Sequence, residues 1–257
     1  MPHQDEIAEG PHYAQSADQA RRQNKRKESE MSRKVIVSYD GTNNEDDAVA
    51  LGRLFAGIGA EVSLAYVRHA SEEEASREIL AQHEAETLLQ RGTELLGDRE
   101  APCHVITDRS TPEGLGKLAA QTGAAVIVFC SDSHTAPGHI GVGNSAQRLL
   151  EGGPVAIAIA PAGFASREAG SMESIVVTGD GSAVATAQAL ASALGARLGA
   201  GADESAGLLV VGSRPEAPVG RVSISAASEN LIENAVCPVL VVPRGKTIAF
   251  DDASVAV

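Results

Sequence analysis

The sequence has no tryptophan, and aromatic residues make up only 3% of its 257 positions. That scarcity removes the aromatic platform on which single-stranded nucleic acid is usually stacked. Positive charge is also short: 21 Lys and Arg stand against 34 Asp and Glu, a formal net charge of −13. A nucleic-acid partner would meet general repulsion. A small anion is not excluded, because a local nest of backbone N–H groups binds phosphate even on an acidic protein. No apolar run approaches the roughly 20 residues of a bilayer-spanning helix, and the N-terminus lacks the apolar stretch of a secretion signal. Cysteines are few, odd in number and far apart (Cys103, Cys130 and Cys237), which argues against a disulfide framework or a zinc site. A reduced, cytoplasmic setting is the expectation.

What is present is a long α/β texture behind a polar leader. Residues 1–32 carry charge without hydrophobic period and read as a disordered tail, its basic cluster RRQNKRK at 21–27 solvated. From Lys34 onward, apolar strand-like runs at 34–39, 62–67, 103–107, 125–130 and 155–160 alternate with helical patterns. In EDDAVALGRLFAGIG, Ala48, Leu51, Leu54 or Phe55 and Ile58 share one face. The next pattern opens on Ser71 as N-cap, carries a stripe of Ala81, Ala85, Leu88, Gly92 and Leu95, and ends at Gly97. STPEGLGKLAAQTG and the short NSAQRLLEGG supply two more helices. Strands apolar on both faces, alternating with helices, predict a doubly wound parallel five-stranded sheet in the order 3-2-1-4-5.

The second half repeats the first incompletely. AVIVFCSDS (125–133) aligns with GLLVVGSRP (207–215), and GNSAQRLLEGGPVAIAIAP (143–161) with SAASENLIENAVCPVLVVP (225–243), both at an offset of 82. The opening VIVSYDGT recurs as IVVTGDGS at an offset of 140, Asp40 against Asp180. The difference of 58 residues matches a second strand, second helix, third strand and third helix. The predicted organisation is therefore a tail (1–32), a complete unit (33–161), a linker (162–173), a truncated half-unit (174–245) of three strands and two helices, and a C-terminal tail (246–257). Such a half-unit cannot cover a sheet alone, so it should pack on the full unit or across a dimer.

Ligands of open parallel sheets bind outside the carboxyl ends of the strands, where strand order reverses. Two loops lie there: YDGTNNEDD after strand one and CSDSHTAPGHIGVGNSAQ after strand four. The second is rich in Gly, Ser, Asn and His, which let backbone amides and hydroxyls approach an anion. GHIGVG is spaced G-x-x-G-x-G and follows the fourth strand, so it is not a dinucleotide fingerprint, and the Gly-Lys-Ser ending of the common ATPase loop is absent. Asp40 has two readings, a ligand contact or an N-cap of the following helix. Cys130 reads as a small core residue.

Taken together, SYDGT after strand one, the spaced glycine and hydroxyl positions after strand four, and CPVLVVP near the end resemble the universal stress protein family, in tandem form with a shortened second unit. The resemblance implies ATP or a related adenine nucleotide as ligand, with Mg²⁺ accompanying it, and a homodimer formed through the last strand of a unit. It places Asp40, Gly41, Thr42 and Val67 on the ribose and adenine side. Ser131, Ser133, His134, Gly143, Asn144 and Ser145 would surround the phosphates. Departures stand at the motif glycines, where this sequence has Cys130 and Ser133, and at Asn144 in place of Ser or Thr. In the second unit Pro215 removes an amide donor, so the nucleotide belongs to the first unit. A non-nucleotide interaction scaffold of the same fold and a weak nucleotide hydrolase are the competing readings. No catalytic constellation and no metal site are visible.

Overall fold

The computed structural model describes residues 30–31, 33–69, 75–167, 172–200 and 206–250. The leader with its basic cluster, and Ser71, lie outside them. All elements below belong to one compact unit that begins at residue 31.

Alternation of large aliphatic residues sets the architecture. In β1 (Lys34–Ser38), Val35 and Val37 face one side of the sheet while Ile36 faces the other, and all three are fully buried. β2 (Glu61–His69), β3 (Cys103–Asp108), β4 (Val126–Cys130) and β5 (Ala156–Ala160) join it in parallel, in the order β3-β2-β1-β4-β5. Strand reversal thus falls between β1 and β4. Helices α1 (Glu45–Gly57) and α2 (Ala75–Leu96) cover one face; α3 (Thr111–Thr122) and α4 (Asn144–Leu150) cover the other. The α1 face predicted from periodicity is the buried one, with Ala48, Leu51, Phe55 and Ile58 all at or below 5% exposure. Of the α2 stripe, Ala85 and Gly92 are buried and Leu88 and Leu95 half-buried, and the adjacent Leu89 and Leu96 are buried with them. Gly92 seats the helix on Tyr39, whose ring atoms lie 3.2 Å from where a Cβ would be.

The second half adds β6 (Ser174–Thr178), β7 (Arg197–Ala200), β8 (Leu208–Gly212) and β9 (Val239–Val242), with α5 (Gly181–Leu194) and α6 (Ala226–Glu233) on opposite faces. Nine strands form one sheet, β3-β2-β1-β4-β5-β9-β8-β6-β7. The halves meet where β9 runs antiparallel to β5, pairing Ile159 with Val239 and Ile157 with Val241. The last strand of the first half therefore has its free edge filled by the same chain, and any homodimer has to form on another surface. The half-unit holds four strands and not three. β7 escapes a sequence reading because it is four residues long, contains glycine and leaves Leu198 41% exposed at the sheet edge. The C-terminal segment also departs from a simple tail: Ile248 and Phe250 are buried, and the Phe250 ring stacks on Phe55 at 5.9 Å.

Candidate functional site

The loop after β1 forms one wall of the crevice. Its backbone turns through positive φ at Gly41 (80°) and Asn44 (73°). A side chain on Gly41 would be strained there and would meet Leu88 at 2.8 Å. Asp40 accepts a hydrogen bond from Thr42 N–H (3.1 Å), and its exposed carboxylate also meets the Glu45 carboxyl. Glu45, the first residue of α1, is 4% exposed and folds back so that its carboxyl oxygens accept from the N–H groups of Asp40 and Gly41. Burial, followed by the hydrogen bond with Asp40 and its charge, pushes the Glu45 carboxyl up to about 9 against the pull of those two amides. Two residues further along α1, the buried Asp47 accepts from Gly163 N–H (2.8 Å) and Ala165 N–H (2.6 Å), fixing the turn that follows β5.

The loop after β4 forms the other wall. Ser131 is fully buried; its hydroxyl donates to Ala160 C=O (2.8 Å) and accepts from Gly141 N–H (3.2 Å). Asp132 N–H donates to Gly141 C=O (2.9 Å), which closes the loop on itself. Asn44 reaches across, its amide donating to the carbonyl of Asp132 (3.0 Å) and at 3.5 Å to that of Ser131. Between the walls lies a cavity of about 270 Å³. It is lined by Ser38, Asp40, Thr42, Asn43, Glu45, Thr111, Phe129, Cys130, Ser131, Asp132, Ser133, Gly143, Asn144, Ser145 and Ala146. The Cys130 thiol is pushed up to about 12, first by burial and then by the charges of Glu45 and Asp40, which makes it a poor nucleophile.

Of the residues singled out from sequence, Asp40, Thr42, Ser131, Ser133, Gly143, Asn144 and Ser145 converge on this cavity. Gly41 shapes the loop from behind. Val67 lies inside the sheet, in register with Ile106, with its side chain against α3 at Gly114. His134 points outward, its side chain 94% exposed. Its Nδ1 is 3.2 Å from Ser133 Oγ and 3.4 Å from Asp132 Oδ1. Both contacts fall on one ring nitrogen, so the three do not form a serine–base–acid relay, which uses both. Glu45 carries no sequence signal of its own: it is one of three consecutive acids in the first turn of α1. Sequence reasoning missed Thr111 because the crossover from β3 had to be placed first. Among the described residues no group of three or more His, Cys, Asp or Glu is placed to hold a metal ion.

The second half carries the same loop without the opening. Ser213 Oγ donates to Val242 C=O (2.8 Å) and accepts from Ser223 N–H (3.2 Å), and Arg214 N–H donates to Ser223 C=O (2.8 Å). Every partner is displaced by the offset of 82 seen in sequence. At the tip of β6, however, a Cβ on Gly179 would lie 2.6 Å from Gly212 Cα, so the two backbones touch. The matching positions in the first half are Tyr39, packed on α2 at Gly92, and Cys130, which lines the cavity. Asp180 caps α5, accepting from Ser182 N–H (3.2 Å), Ala183 N–H (3.1 Å) and Ser182 Oγ–H (2.6 Å). It is an ordinary N-cap, whereas Asp40 leaves its carboxylate facing the crevice.

The fold recurs in solved structures. A universal stress protein from Archaeoglobus fulgidus DSM 4304 superposes over 83% of this chain and 99% of its own, with a TM-score of 0.62 and 15% identity. The fold is that of a universal stress protein. A candidate universal stress protein from Pseudomonas aeruginosa UCBPP-PA14 (TM-score 0.54, 14% identity, 82% of this chain and 93% of that one) shares it. So does a functionally unknown protein from Pseudomonas aeruginosa PAO1 (TM-score 0.51, 14% identity, the same coverage). No family model and no curated protein sequence matches the chain. Within the universal stress protein fold, the β3-β2-β1-β4-β5 order places the reversal, and hence the crevice, between β1 and β4.

Proposed function

We propose that the protein is a stress-response module of the universal stress protein kind that binds an adenosine-containing ligand in the crevice of its first half. The observation that carries this reading is the contrast between the halves. The same loop scaffold is present twice, but among the described residues the copy at β1 and β4 borders a cavity lined with hydroxyls, amides and the Asp40 carboxylate, while at β6 and β8 the backbones of Gly179 and Gly212 touch. An acid held at a strand tip suits a ribose diol, to which it offers two acceptors. The second half acts as a scaffold that covers the edge of β5.

ATP is the ligand the fold implies. For a base and ribose the lining offers hydroxyl and amide groups as hydrogen-bond partners. A free triphosphate does not fit: the lining offers no Lys, Arg or His, and three of its side chains carry carboxyl groups. A second reading, a ligand-free interaction scaffold, draws on the Asn44 bridge between the walls and on a Ser131 hydroxyl already used within the fold.

Thermal melting with and without millimolar adenosine, AMP and ATP separates the two, since a ligand that binds only the folded state raises the melting temperature. A rise abolished by Asp40→Ala and kept by Asp180→Ala supports the first-half crevice. No shift with any of the three ligands favours the scaffold.

A further inference from the structure

The chemistry of the crevice is unusual for a phosphate site. Its fifteen lining residues include Asp40, Glu45 and Asp132 and no cationic side chain. The backbone N–H groups of Asp40 and Gly41 lie at the tip of β1. Both are held by the Glu45 carboxyl. Asn44 bonds to the carbonyls of Asp132 and Ser131, so it presents those two loops as a wall of fixed dipoles instead of a mobile lid. The volume, about 270 Å³, falls just under the range of roughly 300 to 1,000 Å³ that drug-sized ligands occupy. What remains for recognition is neutral: Ser38, Thr42, Asn43, Ser133, Asn144 and Ser145.

We infer that the crevice selects an uncharged, hydroxyl-bearing nucleoside and discriminates against free nucleoside phosphates, with Asp40 and Asp132 as the discriminating side chains. This rests on the adenosine reading above and names the ligand class within it. A phosphate entering the site would meet the carboxylates of Asp40 and Asp132 with no cationic side chain in the lining to offset them, and the N–H groups of Asp40 and Gly41 are already taken by Glu45. A nucleoside meets neither obstacle. Its hydroxyls donate to the same carboxylates that repel phosphate, so the acids that exclude one ligand hold the other. A nucleotide neutralised by a divalent cation falls between the two. The groups facing Glu45 are Asp40 from the loop, Cys130 from β4 and Tyr39 at the end of β1, all neutral or anionic, and none relieves the repulsion.

Isothermal titration calorimetry of the full chain at physiological salt tests this with adenosine, AMP, ATP in EDTA, and ATP with Mg²⁺. The expected order is adenosine, then AMP, then ATP, about tenfold from first to last, with Mg²⁺ recovering part of the loss for ATP. Asp40→Asn and Asp132→Asn, each checked for an intact thermal transition, should narrow the gap between adenosine and ATP at least about threefold. ATP in EDTA binding as tightly as adenosine would overturn the inference and leave the proposed function standing. Binding of ribose alone as tightly as adenosine would also overturn it. Heat from none of the ligands would overturn the proposed function together with the inference. An unchanged gap in both folded variants would overturn the assignment of the discrimination to Asp40 and Asp132.

Discussion

Replacing Glu45 by Gln should flatten the pH dependence of folding stability, and the size of the effect follows from the geometry. The carboxyl goes from an ordinary 4.5 to about 9 on folding, because it is buried beside the Asp40 carboxylate. A group raised in this way favours the folded state most fully at low pH. The folded protein holds a proton that the unfolded chain has released, so stability is lost as pH climbs from 4.5 towards 9. Each pH unit in that window is worth about 1.4 kcal/mol, so from about pH 6 to pH 8 this one group removes about 2.7 kcal/mol. Gln cannot ionise and lacks that slope. Near pH 6 the variant should be less stable by about 1 kcal/mol, since its NH₂ group opposes one of the two backbone N–H donors. By about pH 8 it should be the more stable of the two, by roughly 1 to 2 kcal/mol. Urea denaturation followed by circular dichroism, run on both proteins across this range, gives the difference directly, and every other titrating group cancels in it. Two stability curves that stay parallel within about 0.5 kcal/mol would refute the protonated, buried Glu45.

Further outcomes follow from other contacts. Asp47→Ala removes the acceptor for two backbone donors at the turn after β5 and should cost about 2 to 4 kcal/mol by urea denaturation. A loss under 1 kcal/mol would mean that the turn holds itself. Asp180→Ala should cost about 0.5 to 2 kcal/mol as a lost helix cap, while Asp40→Ala, exposed and uncapping, should leave the melting transition nearly in place. Ser131→Ala and Ser213→Ala remove the same pair of bonds at equivalent places. They should destabilise by similar amounts, about 1 to 3 kcal/mol each, and a large disparity would break the equivalence of the loops. In native protein near neutral pH, a thiol reagent should modify the exposed Cys103 first. Cys130 and Cys237, both pushed up by burial, should react only on unfolding, as mass spectrometry of the labelled protein can check.

Most of the frame was legible because it is written in apolar runs long enough to have a period. β1, β4, β5, β8 and β9 are continuous aliphatic segments, and the offset of 82 survives into the hydrogen bonds of Ser131 and Ser213. What escaped has no local signature. β7 is an edge strand with a glycine and little burial. Ile248 and Phe250 are isolated apolar residues whose burial depends on α5 and on Phe55. In the site, residue types on the two loops were readable, but the use of each was not. Glu45 and Asp47 sit in one acidic run, yet one turns back on the strand tip while the other reaches the turn after β5. That choice depends on the positive φ values at Gly41 and Asn44 and on where residue 163 arrives in space.

The antiparallel seam between β5 and β9 has a further implication for anyone who divides the molecule. Severing the chain in the connection before β6 would strip a partner from two rows of aliphatic residues, Ile157 and Ile159 on one fragment and Val239 and Val241 on the other. Each fragment would then display an adhesive ribbon matched to its former mate. Recombination of the pair, with self-association as the rival outcome, makes this join a natural place to build a split protein whose pieces report on their own reunion.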